Sequence, residues 1–258
     1  MSNLKNILIN KNKSCTSIWF MRQAGRHLPE FRKIRAKNQN FINLCLNSKL
    51  SAKITLQPIN RYDLDSAIIF SDILLVPYAL GQEVRFIKNK GPQLSEFEKR
   101  KFINSNKKDF IKKLSPVYKA ITLTRQKLNK EKSLISFVGA PWTLLVYMFG
   151  LKKSKDKLDL PKFKKKEQEM REILEKLSEY LCIHIKQQIK AGADVVQVFD
   201  SWARLIPKKK LSHFCFKPNL KIVKYCKKIN TPIICFPKGI KGNYKKFNNL
   251  VRPNALNL

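Results

Sequence analysis

Between Trp19 and Arg35 the chain reads WFMRQAGRHLPEFRKIR, where an apolar run gives way at once to Arg22, Arg26, Arg32 and Arg35, with Gly25 and Pro29 between them. A connection from strand to helix needs the glycine and the proline but not four guanidinium groups. Planar guanidinium forks match carboxylates two oxygens at a time, and each charge-assisted contact contributes about 1.5–3 kcal/mol. Arg22 and Arg26 are four apart, so a first helical turn after the strand would point both the same way. Gly25 would let a ligand approach the backbone closely. The stretch reads either as a solvated basic loop or as a receptor for an acidic small molecule. A second candidate is Asp72, which follows the apolar run AIIFS. A carboxylate at the end of a buried strand sits in a partly dry pocket; the same position also suits a helix N-cap.

The elements that must position these groups are legible as β-rich runs between longer helical stretches. The runs are 17–22, 66–73, 133–140, 193–201 and 231–239, with a sixth begun at 255. A polar, helix-like stretch covers 43–63, and a helix of roughly 25 residues closes at Gly192 in the position of a C-cap. In that helix Leu174, Leu177, Leu181, Ile185 and Ile189 repeat at three- and four-residue steps, giving one buried stripe. Strands buried on both faces and separated by helices pair in parallel with right-handed crossovers. An open doubly wound sheet and a (β/α) barrel both satisfy that pattern. Polar residues at the C-terminal ends of the strands (Arg22, Asp72, Ser201, Lys238) favour the barrel, whose active sites lie on that rim. No GxGxxG or GxxxxGK[ST] phosphate loop marks the switch point of an open sheet.

Composition narrows the function classes. With 258 residues and 43% apolar side chains the chain can bury a sizeable core, and no long Pro/Gly/Ser linker divides it, so 1–258 reads as one domain. No apolar run approaches the ~20 residues of a membrane span. The N-terminus carries no signal-peptide cleavage pattern. Six cysteines (15, 45, 182, 215, 226, 235) include no CxxC pair, and the cytoplasm is the expected compartment. The 53 Lys+Arg against 18 Asp+Glu give a formal charge of +35. Spread along the whole chain with no recognition helix or aromatic-interleaved RNA signature, that excess reads as a solvated surface whose field helps capture a small polyanion.

Taken in order, WFMRQAGRHLPEFRKIR, LCLNSKLSAKITLQPINRYDLD, IIFSDILLVPYALG, FVGAPWTLLVYM and VQVFDSWA resemble the successive signatures of the uroporphyrinogen decarboxylase family, from about Ser17 to Leu258. The resemblance implies a (β/α)8 TIM-barrel fold and decarboxylation of the four acetate side chains of uroporphyrinogen III to coproporphyrinogen III. It implies no metal, flavin or pyridoxal cofactor and a homodimer when full length. It assigns substrate contact to Arg22, Gln23, Ala24, Gly25, Arg26, Arg35, Asp72, Tyr147 and Ser201. Arg22, Arg26 and Asp72 are assigned to catalysis, with Asp72 accepting the pyrrole N–H groups and stabilising a ring-protonated intermediate. His27 is expected to pack rather than react.

Two features depart from that pattern. Only five to six of eight strands can be counted, and none of His27, His184 and His213 stands near a last strand. The chain is therefore expected to be a C-terminally truncated, incomplete barrel with exposed strand edges, half its interior uncovered, and impaired or no activity. Two rival readings remain. HFC (His213–Cys215) matches the zinc tripeptide of a related barrel family that transfers methyl groups between corrinoids and thiols, although it lies in a helical connection. The charge alone would suit a basic nucleic-acid-binding protein.

Overall fold

The computed structural model describes residues 3–10, 16–87, 91–153 and 157–258; Cys15 lies outside them. The strands are β1 (Ser66–Ile68), β2 (Val84–Ile87), β3 (Gly91–Leu94), β4 (Ser133–Gly139), β5 (Val195–Asp200), β6 (Ile233–Pro237) and β7 (Ala255–Leu256). The helices are α1 (Asn3–Asn10), α2 (Pro29–Lys37), α3 (Phe41–Cys45), α4 (Ser48–Arg61), α5 (Leu75–Ala79), α6 (Lys99–Ile103), α7 (Lys107–Lys127), α8 (Pro141–Met148), α9 (Leu160–Lys190), α10 (Lys217–Lys228) and α11 (Tyr244–Val251). Five strands form one parallel sheet in the order β1-β4-β5-β6-β7, and β2 and β3 form a separate antiparallel hairpin that the sequence patterning does not announce.

The strand order never reverses, so the sheet has no switch point. On its outer side α4 packs on α7, α7 on α9, α9 on α10 and α10 on α11, so the helices follow the strands' own sequence. This is the arrangement of an incomplete (β/α)8 barrel and not of a doubly wound sheet, which carries helices on both faces. Parallel register puts Ile68, Ile135 and Val195 in one inward row and Phe199 and Phe236 in another. Outward residues such as Leu134, Val138, Val196, Val198 and Cys235 are buried against the helices.

The long helix is α9, 31 residues with its C-cap at Ala191; Gly192 follows at φ 109°, a left-handed value that favours glycine. Its stripe packs as spaced: Leu174, Leu177, Leu181 and Ile185 are buried and Ile189 partly so. Each buried aliphatic side chain contributes about 1.5–3 kcal/mol.

Two expectations need correction. Residues 17–20 form no strand, and the chain already turns at 21–22. The Asp65 N–H donates to Ile18 O at 3.0 Å, but the next link is taken by a side chain. Gln23 Oε1 accepts the Phe20 N–H at 3.2 Å while its Nε2 donates to Ser66 O at 3.0 Å. The Gln23 amide occupies a carbonyl that a continuing ladder would need, and Ile18 and Phe20 stay exposed. The second correction concerns the interior, expected to lie half bare. α1 lies on the inward face, where Leu4 and Leu8 are buried with Ile68, Ile135, Val195 and Ile234. Its backbone is tied to the strand beginnings by Lys5 N–H to Ser133 Oγ (3.1 Å) and by Asn254 Nδ2 to Leu8 O (3.1 Å).

Candidate active site

Asp72 lies four residues beyond β1, in a loop that two hydroxyls of α4 hold down. Ser51 Oγ donates to Phe70 O at 2.6 Å, and Thr55 Oγ1 accepts the Phe70 N–H at 2.8 Å. Both are buried, so each replaces a backbone partner that β1 loses where it leaves the sheet. Across from them, a Cβ at Gly139 would come within 3.1 Å of Ile73 Cβ and 2.8 Å of Leu144 Cδ2, so any larger residue would have to push this loop and Leu144 off the end of β4. Asp72 Oδ1 accepts the Leu74 N–H at 2.8 Å, a turn preceding α5 and not an N-cap, since the cap position belongs to Leu74.

Asp72 is partly buried, and burial pushes its pKa from 3.8 up to about 6, against the lowering pull of the Leu74 N–H and of the Arg22 charge. Tyr147, on α8, belongs to the same group. Burial raises its pKa and the Asp72 charge adds to that, while the Trp202 side chain, Lys152 and Arg22 oppose it. Its ring lies 6.1 Å from that of Trp202. Arg22, Asp72 and Tyr147 therefore lie near enough to act on one another's charge, the last two from the connections that follow β1 and β4.

The remaining residues named by sequence are placed differently. Segment 21–28 forms turns, and α2 starts at Pro29, so Arg22 and Arg26 are not on one helical turn as the four-residue spacing had suggested. Proline at N1 and the extended Leu28 set the helix start later than the arginines. Arg26 is exposed, with its carbonyl accepting from Arg32 Nη1 at 2.9 Å. The Gln23 side chain is buried in the structural role described above, Ala24 packs beside Leu28 and Phe31, and a Cβ at Gly25 would meet only His27 at ordinary distance. Arg35 turns to its own chain: Nη1 donates to the carbonyls of Asn38 and Gln39, and the guanidinium lies 5.7 Å from the Phe41 centroid. Ser201 follows β5 and is half-buried beside Trp202.

Sequence reasoning passed over the groups that hold this rim. Asp200, buried at the end of β5, accepts from Thr143 Oγ1 at 2.8 Å; the same oxygen accepts the Trp202 N–H at 3.1 Å. Trp142 Nε1 donates to Trp202 O at 2.8 Å, so the first turn of α8 grips both backbone groups of Trp202. Burial pushes the Asp200 pKa up to about 6, opposed by Thr143, Cys215 and Asn219. The FDS and GAPWT strings contained the signal: a polar residue at a strand end and a threonine in the next helix's first turn. Cys215 of the HFC tripeptide is buried on a π-helical turn, Ser212–Phe216, and burial together with Asp200 raises its pKa well above the usual thiol range. Among the described residues no group of three His, Cys, Asp or Glu could hold a metal ion.

Comparison with known proteins gives a consistent answer. The family model described as uroporphyrinogen decarboxylase matches residues 1–253. A uroporphyrinogen decarboxylase of Orientia tsutsugamushi (strain Ikeda) is 42% identical over 260 residues, covering 96% of this chain and 73% of the relative. One from Rickettsia felis is 40% identical, covering 93% and 70%. Among solved structures, a methyltransferase from Methanosarcina mazei superposes with a TM-score of 0.76 over 98% of this chain and 74% of its own, at 16% identity, a likeness of fold alone.

Proposed function

Because the chain belongs to the uroporphyrinogen decarboxylase family, a class of carboxy-lyases, we propose that the site around Asp72 removes CO2 from acetate side chains of a cyclic tetrapyrrole polycarboxylate. A carboxylate on a pyrrole-CH2 group leaves slowly because the electron pair it releases needs a sink. Protonation of the adjacent ring supplies one as an iminium-like cation. The C–C bond breaks, its electrons flow into the ring, the exocyclic methylene takes a proton to become methyl, and the ring returns its own. Net, one proton is consumed per CO2 released. What the protein must supply is a fixed negative charge at the ring nitrogens, cations for the peripheral carboxylates, and exclusion of bulk water.

The observation that carries this reading is the Asp72 carboxylate, partly buried, turned by Leu74 and balanced by the Arg22 charge. A carboxylate that burial makes uncomfortable gains from a neighbouring cation, and the intermediate provides one only after protonation. Such preorganised stabilisation is commonly the largest catalytic contribution. Arg22 would hold a side-chain carboxylate near the ring, and Tyr147 would line the site around Asp72. The five described cysteines are all free and buried, which suits a reducing cytoplasm.

The experiment is anaerobic incubation of the purified chain with uroporphyrinogen III, followed by separation of products by carboxyl number. We expect hepta- to tetracarboxylic products, and their loss in Asp72→Ala with circular dichroism unchanged. No product from the unaltered protein, or equal turnover from the variant, refutes the reading.

A further inference from the structure

The indole N–H of Trp202 is a buried donor that meets no acceptor among the described residues. Native interiors keep few such groups, because each forgoes the hydrogen bond it would have with water. Loose packing does not account for this one. Thr143 Oγ1 donates to Asp200 at 2.8 Å and accepts the Trp202 backbone N–H at 3.1 Å, while Trp142 Nε1 donates to Trp202 O at 2.8 Å. Thr143, Asp200 and Trp142 are all buried, so the backbone of Trp202 is fixed at both its polar groups. The ring placed in this way lies 6.1 Å from that of Tyr147, with the two planes at 65°. Tyr147 comes from the connection after β4 and Trp202 from the one after β5, strands that pair directly. The Trp202 side chain already pulls the Tyr147 pKa down against the effect of burial, although its N–H stops short of an ordinary hydrogen bond. A phenol oxygen can accept one hydrogen bond while its proton is donated elsewhere. The indole and a substrate carboxylate can therefore use the one hydroxyl at once.

We propose that Trp202 is a positioning residue for Tyr147: its indole N–H closes on the phenol oxygen as substrate enters, and the hydroxyl turns its proton to a carboxylate side chain of the tetrapyrrole. The proposal rests on the reading given above and deepens it. Hydrogen bonds in series polarise one another, so a phenol that accepts from the indole donates more strongly to the carboxylate. The N–H gains its acceptor only in the complex, and the penalty of leaving it bare is relieved there.

The test is a double-mutant cycle in steady-state decarboxylation of uroporphyrinogen III. Trp202→Phe removes the N–H with part of the ring. Benzothienylalanine at the same position removes the N–H alone, since a sulfur takes its place and the ring keeps its shape. Each replacement is made in the parent and in Tyr147→Phe, with circular dichroism as the check on folding. We expect the sulfur isostere to lower kcat/KM about fivefold where Tyr147 is present and to leave it unchanged in the Tyr147→Phe background. A loss of the same size in both backgrounds, or in neither, overturns the positioning role while sparing the reading it rests on. A Tyr147→Phe protein as active as the parent does the same. Absence of turnover in the unaltered protein overturns both.

Discussion

A partly buried carboxylate whose pKa is pushed up to about 6 leaves a mark on both stability and rate. Asp72 keeps its proton to about pH 6 in the folded chain, whereas an unfolded chain releases it near 3.8. Between those values the native state binds more protons, so stability falls as pH rises, and above pH 6 the full cost of ionisation is present. Asp72→Asn keeps an oxygen for the Leu74 N–H and removes the charge. We expect it to melt higher than the parent at pH 8, by about 1–3 kcal/mol after allowance for the water that reaches the loop, and equally at pH 3.5. Paired thermal melts across pH decide this; an unchanged difference at both ends shows that burial does not strain this carboxylate. Such a trade of stability for a charged group fits an active-site role, since a purely structural aspartate in this loop would be replaced at a gain.

At the scale of elements, the loop bearing Asp72 depends on α4. Thr55→Val preserves shape and removes the acceptor for the Phe70 N–H, leaving a largely buried donor unpaired. The expected loss is about 1–3 kcal/mol, together with a several-fold fall in kcat as the carboxylate loses its fixed position. Chemical denaturation and steady-state kinetics measure the two effects, and a fall in stability without one in kcat would make the clamp structural only. The sequence reveals this level unevenly. Strands β4, β5 and β6 were legible because continuous apolar runs bounded by helices admit little else. Asp72 and Arg22 stood out for the same reason, as polar residues ending such runs. Ser51 and Thr55 did not, because a hydroxyl reaching from a helix to a loop fifteen or more residues away has no local periodicity. Residues 17–22 misled for a related cause: an alternating apolar run says strand, yet a single glutamine side chain can take over a ladder carbonyl.

For the whole molecule, the burden falls on the inward face of the sheet. Four of the five strands turn Ile68, Ile135, Val195 and Ile234 toward a common interior, and α1 is the element that covers them. Its eight residues are too short to hold a helix by themselves, so α1 exists because Leu4 and Leu8 bury there and because Ser133 and Asn254 satisfy its backbone. A protein of charge +35 already carries self-repulsion that favours expansion, which makes each apolar contact across this face count for more. Leu8→Asp sets a carboxylate against that apolar cluster. The expected result is a loss of about 3 kcal/mol, a lower melting temperature and strong binding of a hydrophobic dye at 25 °C, as the inward face opens to solvent. Leu8→Ala should cost less and bind less dye, since it leaves the helix free to stay in place. Because α1 touches the strand beginnings and Asp72 lies beyond the end of β1, turnover of uroporphyrinogen III should survive in whatever fraction of Leu8→Asp remains folded. If the variant melts like the parent and binds no dye, α1 does not carry the closure of this face, and the sheet must be stable with its interior wet.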